Sequence, residues 1–268
     1  MKRELLLIVV LFILCGKVLS QNGSPYQSNW HRELGLILAG SGLLTTGVIL
    51  NQQIEPLTAE QVSILSRDQV WAFDRSATYN YSPNAAKTSD WLLITGYISP
   101  LTLLAFKPFR SNYSTIGLMA LEVVLINHGI TTILKGSFRR IRPFVYNSSV
   151  PIEQKLEKSA KRSFFSGHVS NFTSLTFFTA KVIADHSNNK HLVIAVWATA
   201  ISTSALMSYL RFHAGKHFPT DVIAGYTVGA LVGIMIPQMH KKVKKDRLVY
   251  YPYYFSDSFG LSLSLKLN

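Results

Sequence analysis

The sequence predicts an all-α protein, a multi-helix membrane bundle with a short β-hairpin at its C-terminal end. Long apolar segments recur along the chain and are separated by polar connections, as in a bundle of packed helices. The composition is 48% hydrophobic and 15% charged, which excludes a disordered chain. Residues 248–268 differ from the rest because apolar and polar residues alternate there with the period of a strand.

Residues 1–20 have the pattern of a secretory signal peptide. A basic start is followed by an apolar run over 5–15 and by small residues before Gln21, where we expect cleavage. The single cysteine, Cys15, lies inside this segment. The mature chain is therefore expected to contain no disulfide, and its cysteine content indicates nothing about its compartment.

An N-terminal helical region is expected over 21–88. Residues 34–50 are apolar and rich in glycine, and they are just long enough to cross a bilayer. Residues 58–77 have the amphipathic pattern of a helix that packs on the domain or lies at the membrane interface. A polar loop follows at 79–88.

A helical core is expected over 89–247, and it contains all the motifs discussed below. A polar, charged connection covers 146–162. The segment 168–184 is the least membrane-like because it contains Asn171 and Lys181. The helices predicted for this core are 91–106, 115–134, 168–184, 192–210 and 222–239.

The distribution of basic residues predicts the orientation of the bundle. Lysines and arginines cluster at 240–247 and in the turn 107–110, and such loops favour the cytoplasmic side. The motifs at the other helix ends would then face the periplasm or an equivalent exterior space. The signal peptide conflicts with this, because three crossings before Lys135 would leave that residue inside. We therefore expect 34–50 to stop short of a full crossing, or to re-enter.

The tail, 248–268, predicts a terminal β-hairpin. Leucines alternate with serine and lysine over 261–267, and the serines and aspartate of 256–258 suit a turn. An isolated hairpin is only marginally stable, so we expect it to pack against the core, a membrane or a partner.

The formal net charge of +13 favours anionic partners: nucleic acid, anionic lipid or a phosphorylated substrate. The chain contains apolar segments throughout and no nucleic-acid-binding motif. A membrane and a phosphorylated lipid are therefore the expected partners, and nucleic acid is not. The sequence predicts nothing about the oligomeric state.

Charged side chains recur at the ends of apolar segments in three pieces of chain, residues 135–143, 166–168 and 211–221. They include Lys135, Arg142 and Arg211. A phosphate ester in its transition state spreads negative charge over its oxygens, so fixed positive charge is the main catalytic requirement. This set therefore indicates phosphoryl transfer without a metal.

The remaining motif residues suit the other roles in such a reaction. Ser166 precedes a predicted helix and is an expected N-cap, so that the amides of Gly167 and His168 point at an anion. His217 and Asp221 are four residues apart, and on a helix they share a face. The carboxylate can then hold one ring nitrogen while the other attacks, and His168 can protonate the leaving oxygen.

Simpler interpretations exist for single residues. A cation at the end of an apolar segment is commonly an anchor at the membrane interface. Arg139 and Arg140 either engage a diphosphate or head group or lie at the surface. His213 has no assigned role. Three polar residues of the segment 115–134 are expected to make interhelical polar contacts, namely Glu122, Asn127 and His128.

The three motifs together resemble those of the type 2 phosphatidic acid phosphatase superfamily, which also contains the vanadium haloperoxidases. The resemblance implies that His217 is the nucleophile, that Asp221 orients it and that His168 is the general acid. It also implies that phosphate is bound by Lys135, Arg142, Ser166, Gly167 and Arg211.

Two residues depart from the pattern of that family. Phe165 replaces the usual proline before Ser-Gly-His, and Leu210 replaces the usual serine before the arginine. Neither change removes a charged or proton-transferring group, so we expect altered tuning rather than loss of activity.

The expected function is a metal-independent phosphatase that hydrolyses a phosphomonoester or pyrophosphate of a membrane lipid through a phosphohistidine. No cofactor and no metal ligands are expected, and activity should persist in chelator. Three alternatives remain: a soluble secreted acid phosphatase of the same family, a vanadium-dependent haloperoxidase, and a non-catalytic protein that binds lipid phosphate.

Overall fold

The computed structural model describes residues 24–110, 112–242, 248–255 and 258–265. The predicted signal peptide lies outside these residues. Six long helices dominate the described chain, and we number them in order. They are α1 (Trp30–Gln52), α2 (Pro83–Thr102), α3 (Tyr113–Phe138), α4 (Gly167–His186), α5 (Lys190–His213) and α6 (Pro219–His240).

Short helices connect the long ones, and they correct two predictions. The expected single helix over 58–77 is wrong, because the side chains of Thr58 and Ser66 each cap a separate short turn. The connection 146–162 also contains helical turns. The short α-helices are Ala59–Ser63, Ala72–Arg75, Lys107–Arg110 and Ile152–Lys155, and the 3₁₀ turns are Arg67–Gln69, Ser76–Tyr79, Leu103–Ala105, Pro143–Tyr146 and Lys158–Lys161.

Local sequence signals set the ends of the long helices. The side chains of Asn29, Ser82 and Asn189 accept hydrogen bonds from the first amides of α1, α2 and α5. Pro219 occupies the first turn of α6, where a missing amide proton costs nothing. Helix α3 ends where Arg139 adopts a left-handed conformation with φ of 47°.

Small residues bring parallel helices into close contact. A Cβ atom at Gly40 of α1 would lie 2.8 Å from Cβ of Leu125 in α3, and one at Gly136 would lie 2.6 Å from Cβ of Leu50. Helices α4 and α6 meet in the same way, since Gly225 packs on the Ser166 carbonyl. Close backbone approach at small residues is typical of helices in membranes.

Helix directions alternate along the chain. In α2, Gly96 packs on Phe172 of α4 and Ser99 lies 3.1 Å from Thr179, so α2 runs parallel to α4. Helices α3 and α5 run antiparallel to α4. The starts of α2, α4 and α6 and the ends of α1, α3 and α5 therefore meet at one end of the bundle, which we call the site end. The other is the opposite end.

Four helical segments are long and apolar enough to cross a membrane, which indicates a membrane protein. The re-entrant alternative for 34–50 is wrong: α1 is one continuous helix of 23 residues, about 35 Å long, which is long enough to cross a membrane. Helices α2 and α4 do not meet the same criteria, but they run the length of the bundle beside the others. The four segments are Trp30–Gln52, Tyr113–Tyr146, Lys190–His213 and Pro219–His240.

Helix α4 is central, which explains its polar composition. Asn127 of α3 donates to the Asn171 side chain at 2.6 Å and accepts from Ser170 at 2.7 Å. The expected interhelical contacts are therefore confirmed for Asn127, and His128 Nδ1 lies 3.4 Å from the Asn171 amide. Glu122 also contacts another helix, since its Oε2 lies 3.2 Å from His240 Nε2 of α6, although neither carboxylate oxygen has a hydrogen-bond partner within the described residues.

The chain enters α1 and leaves α6 at the same place. The Gln27 amide donates to the His240 carbonyl at 2.8 Å, and the Lys242 amide donates to the Pro25 carbonyl at 2.9 Å. Residues 25–27 and 240–242 thus share the opposite end. The two orientation arguments from the sequence cannot both hold. The signal peptide would place residue 24 outside, whereas the basic cluster would place 240–242 in the cytoplasm, yet the two segments lie at the same end of the bundle.

The predicted terminal hairpin is present. Strand β1 (Leu248–Phe255) pairs antiparallel with β2 (Ser258–Leu265), with Leu248 opposite Leu265.

Candidate active site

The first and second motifs meet at the site end. Lys135 lies in the last turn of α3, and its ammonium group donates to the Arg162 carbonyl at 2.9 Å. Arg142 follows α3 and lies 3.4 Å from the same carbonyl. A Cβ atom at Gly167, the first residue of α4, would lie 3.0 Å from Cγ2 of Thr131 and 3.4 Å from Cε of Lys135, so the start of α4 packs closely against the last turns of α3.

The third motif completes the site from α5 and α6. Arg211, in the last turn of α5, is 4% exposed and donates to the Ser89 hydroxyl at 2.9 Å. The same guanidinium lies 3.5 Å from the Asp90 carboxylate. His168 Nε2 lies 2.8 Å from that oxygen of Asp90. The structure therefore brings Arg211 and His168 together around one exposed carboxylate.

His217 lies in the bend just before α6, so it does not share a helical face with Asp221 as predicted, and the two side chains are close but not hydrogen-bonded. His217 Nδ1 lies 3.6 Å from Asp221 Oδ2, and this nitrogen has no hydrogen-bond partner within the described residues. Catalytic hydrogen bonds are often long in the empty site and tighten in the complex. The pair is therefore close enough to act together after a small movement.

Asp221 is held from three other directions. Its Oδ2 accepts hydrogen bonds from the Ser163 hydroxyl at 2.5 Å and the Phe218 amide at 2.9 Å. Its Oδ1 accepts from Arg140 at 2.6 Å. Since Asp221 is fully buried, these donors fix its carboxylate and keep its charge compensated.

Arg140 is half-buried and engaged with protein carboxylates. Its second terminal nitrogen donates to the buried Asp74 at 2.7 Å, and its guanidinium lies 4.1 Å from the centre of the Phe218 ring. Asp74 in turn accepts from the Thr220 hydroxyl at 2.6 Å. Arg140 thus bridges two buried carboxylates and ties the 72–75 turn to the start of α6.

Several polar atoms that face the site are buried and lack partners. Ser166 occupies the N-cap position of α4, as predicted, but its hydroxyl makes no capping bond. Within the described residues, Lys135 and Arg142 make no ion pair. The atoms without a hydrogen-bond partner include Arg142 Nε, Arg211 Nε, Ser166 Oγ and His217 Nδ1.

Burial and positive neighbours keep both histidines neutral in the empty site. Burial, followed by the charges of Lys135 and Arg142, lowers the pKa of His217 well below its usual range. Burial and then Arg211 lower the pKa of His168 to about 3, although Asp90 acts in the opposite direction. A neutral imidazole is the form that can act as a nucleophile.

A pocket of about 340 Å³ opens beside these residues. Burial and then the charges of Arg142 and Arg211 lower the pKa of Lys216, in its wall, to about 8. The pocket is lined by Tyr81, Ser82, Pro83, Ala86, Lys87, Asp90, Gln154, Ala214 and Lys216.

The remaining motif residues lie outside the charged centre. Phe165 is buried, and its ring lies 3.5 Å from the Cβ position of Gly225, so it packs between α4 and α6. His213 is exposed and stacks on the Tyr209 ring at 5.6 Å. Arg139 is exposed.

Three residues that contact the predicted site residues were not identified from the sequence. Asp74, Asp90 and Ser163 belong to no motif, and no spacing rule connects them with 211–221. The sequence offered one signal for Asp90, which is an acidic residue at the start of an otherwise apolar segment.

A comparison with protein-family models gives a match to most of the predicted helical core. The PAP2 superfamily model matches residues 116–245. These residues, just under half of the chain, are similar to that superfamily. The match includes all three motifs, and it confirms the resemblance seen in the sequence.

Two curated proteins share this PAP2 segment. The chain is 28% identical over 156 residues to a lipid A 4'-phosphatase of Porphyromonas gingivalis, covering 57% of this chain and 63% of the relative. It is 27% identical over 139 residues to phosphatidylglycerophosphatase B of Bacillus subtilis, covering 49% and 61%. The chain thus spans less than two thirds of either relative's length.

A solved PAP2 structure covers more of the chain. The transmembrane phosphatidylglycerolphosphate phosphatase from Bacillus subtilis aligns with 78% of this chain and 99% of its own, with a TM-score of 0.49 and 22% identity.

Proposed function

We propose that the protein is a metal-independent phosphatase that hydrolyses a phosphomonoester or pyrophosphate of a membrane lipid through a phosphohistidine. One observation carries the proposal: Lys135, Arg142 and Arg211 converge with buried, unpartnered hydrogen-bonding groups, and the nearby Asp221 is already engaged by Arg140. A phosphate group would supply the missing negative charge and accept those hydrogen bonds.

In the first step, the free ring nitrogen of His217 attacks phosphorus while Asp221 takes up its Nδ1–H. A P–N bond forms, and the P–O bond to the lipid breaks. His168 gives its proton to the departing oxygen. Its low pKa in the empty site rises when the negatively charged phosphate binds beside it, so that the proton becomes available.

In the second step, His168 takes a proton from water, and the resulting hydroxide attacks phosphorus. The P–N bond breaks, inorganic phosphate forms, and Asp221 returns the proton to Nδ1, which regenerates the neutral His217. Lys135, Arg142 and Arg211 stabilise the charge on the phosphoryl oxygens in both steps, with the Ser166 hydroxyl and the Gly167 amide at the start of α4.

Asp90 is proposed to position His168 before the substrate arrives. Its carboxylate lies where the leaving oxygen must approach His168 Nε2, at 2.8 Å from that nitrogen. The side chain is 63% exposed, so it can swing into the pocket without leaving a buried charge.

The substrate class follows from the surroundings. The two relatives are named for lipid phosphates, and the bundle bears exposed apolar side chains such as Ile94, Ile98 and Leu206. We infer that the acyl chains lie along this apolar surface while the head group enters the pocket beside Lys216.

We further propose that the site end faces the periplasm or exterior, since the basic residues at 240–242 belong to the opposite end. Single cysteines at Lys87 and Lys190, in a Cys15→Ser background, would report the two ends. Impermeant thiol reagent on intact cells should label K87C and spare K190C. The reverse pattern would show an inward-facing site.

The experiment for the activity is phosphate release by the full chain in detergent and chelator. The substrates are lipid A, phosphatidylglycerol phosphate, phosphatidic acid, undecaprenyl diphosphate and an aryl phosphate, and His217→Ala is assayed beside the wild type. Release that disappears in the variant supports the proposal, and quenching in alkaline denaturant should trap a phosphoprotein that is stable in base and labile in acid.

Folded protein that releases phosphate from none of these substrates would overturn the proposal. Activity on the aryl phosphate alone would favour a small-ester phosphatase, and halide oxidation after addition of vanadate would indicate a haloperoxidase.

A further inference from the structure

A second charged cluster lies at the opposite end of the bundle. Glu33 comes from the first turn of α1, Glu122 from α3 and His240 from the last turn of α6. All three are buried, and their potential ligand atoms lie within 4.8 Å of one another. About 30 Å of α6 separates His240 from His217, so this cluster takes no part in the chemistry proposed above.

The geometry around His240 suits a metal ligand. Its Nδ1 donates to the Ile236 carbonyl at 2.8 Å, which fixes the ring and leaves Nε2 facing the two carboxylates. Nε2 lies 2.9 Å from Glu33 and 3.2 Å from Glu122. Tetrahedral ligands with bonds of about 2.1 Å are about 3.4 Å apart, so only small movements are needed. A backbone acceptor on the second nitrogen is usual for metal-binding histidines.

Glu122 provides the independent observation. It is 0% exposed, and within the described residues neither of its oxygens accepts a hydrogen bond. An ionised carboxylate in this position requires a cation, because burial of an uncompensated charge is very costly. Glu33 has less need of an additional cation, because it already accepts hydrogen bonds from Arg32 at 2.8 Å and from the Asn29 amide at 2.7 Å.

Arg32 has other partners for its positive charge. Its guanidinium also donates to the Met239 carbonyl at 2.6 Å, in the last turn of α6, where the helix dipole is negative. It therefore does not fill the space between the three side chains. It lies at the rim, where it is 18% exposed, and an ion can reach the cluster from that side.

We propose that Glu33, Glu122 and His240 bind one divalent transition-metal ion, with Zn²⁺ as the best fit. An imidazole nitrogen and carboxylate oxygens are common zinc ligands, and a water molecule completes the coordination. The ion joins α1, α3 and α6, so its role is to stabilise the bundle. Binding requires a neutral His240 and two ionised carboxylates, and it displaces any proton that the empty cluster holds.

The test uses the full chain in detergent. Wild-type protein stripped with chelator should have a lower melting temperature than protein with Zn²⁺, and metal analysis after dialysis should give one zinc per chain. Cobalt substitution should give the visible absorption of a four-coordinate site. These measurements need no variant, so they stand even if a substitution prevents folding.

Glu122→Gln keeps the shape of the side chain and removes the ligand. It should weaken Zn²⁺ binding by at least tenfold and abolish the zinc-dependent rise in melting temperature. Asp185→Asn is the matched control, because Asp185 is a carboxylate at the same end that pairs with Lys181 and Lys241 instead.

The result that overturns the proposal is a folded wild type that contains no zinc and whose melting temperature does not respond to Zn²⁺, Mn²⁺ or Co²⁺. In that case the cluster is a proton-sharing hydrogen-bond network. The Glu122→Gln protein should then be as stable as wild type, because an amide can replace a protonated carboxyl.

Discussion

The two ends of the bundle contain buried charge of opposite sign. At the site end, Lys135 and Arg211 are buried beside Arg142 with little negative charge to pair with them. At the opposite end, Glu33 and Glu122 surround a single histidine. Each end has the helices to hold its side chains rigidly, and within the described residues the buried charge at each end is incompletely paired. The site end therefore suits an anion that comes and goes, whereas the opposite end suits a cation that stays.

The largest effect is expected from His217→Ala, which tests the anion-binding role proposed for the site end. Because the proposed P–N bond forms at this ring, phosphate release should fall by about 10⁴-fold or more. His213→Ala is the control: this histidine is exposed, stacks on Tyr209 and should leave the rate near wild type. Equal losses in both variants would mean that the activity does not depend on the proposed nucleophile.

Arg142→Gln should have the next largest effect. The variant removes a charge that faces the phosphoryl oxygens, so kcat/KM should fall by about 10²- to 10³-fold. Arg139→Gln, three residues earlier on an exposed position, should change it little. Steady-state kinetics on one lipid phosphate would measure both. A small effect of Arg142→Gln would remove this arginine from the phosphate site.

Arg140→Gln should act first on stability. It leaves Asp74 and Asp221 buried without their cation, a loss of about 3 kcal/mol, and it frees the carboxylate beside His217. Arg75→Gln breaks a 3.7 Å ion pair with the exposed Asp68 and long hydrogen bonds to the Val70 and Asp68 carbonyls, and it should cost about 1 kcal/mol or less. Thermal denaturation in detergent compares the two, and similar shifts would contradict the bridging role.

The smallest expected effect concerns pH. The Lys216 ammonium is charged below its pKa of about 8 and neutral above it, so KM for an anionic lipid should rise as pH increases through 8. In Lys216→Met, KM should be about fivefold higher at pH 7 and lose this pH dependence. Lys190→Met, at the opposite end, should retain it. A wild-type KM that is flat from pH 7 to 9 would exclude Lys216 from substrate binding.

The sequence predicted the site better than its surroundings. Lys135, His168, Arg211 and His217 were identifiable because each stands at the end of an apolar segment, and helix ends of a bundle necessarily meet. Asp74 could not be identified in this way. Its role depends on a short turn docking at the start of α6, and that contact follows from tertiary packing rather than from any local pattern.

Arg140 and Glu122 are two further residues, one cationic and one anionic, whose surroundings could not be predicted from the sequence. Both are charged residues in or next to apolar segments, and the sequence could not separate a surface cation from a buried bridge. For Glu122, the partners lie on α1 and α6, at positions 33 and 240, too far apart in sequence for spacing to connect them. The re-entrant alternative for 34–50 was wrongly predicted, because it served to reconcile the basic clusters with a leader that lies outside the described residues.

The glycine contacts between α4 and α6 have a mechanical consequence. Gly225, Gly229 and Gly233 rest on the carbonyls of Ser166, Ser170 and Ser174, so the two helices cannot slide or separate without losing a continuous backbone contact. His168 lies at the start of α4 and His217 just before the start of α6. The same backbone contact therefore fixes the distance between the two histidines. The exposed Asp90 on α2 is therefore the group of the site that can move relative to both histidines when a lipid enters.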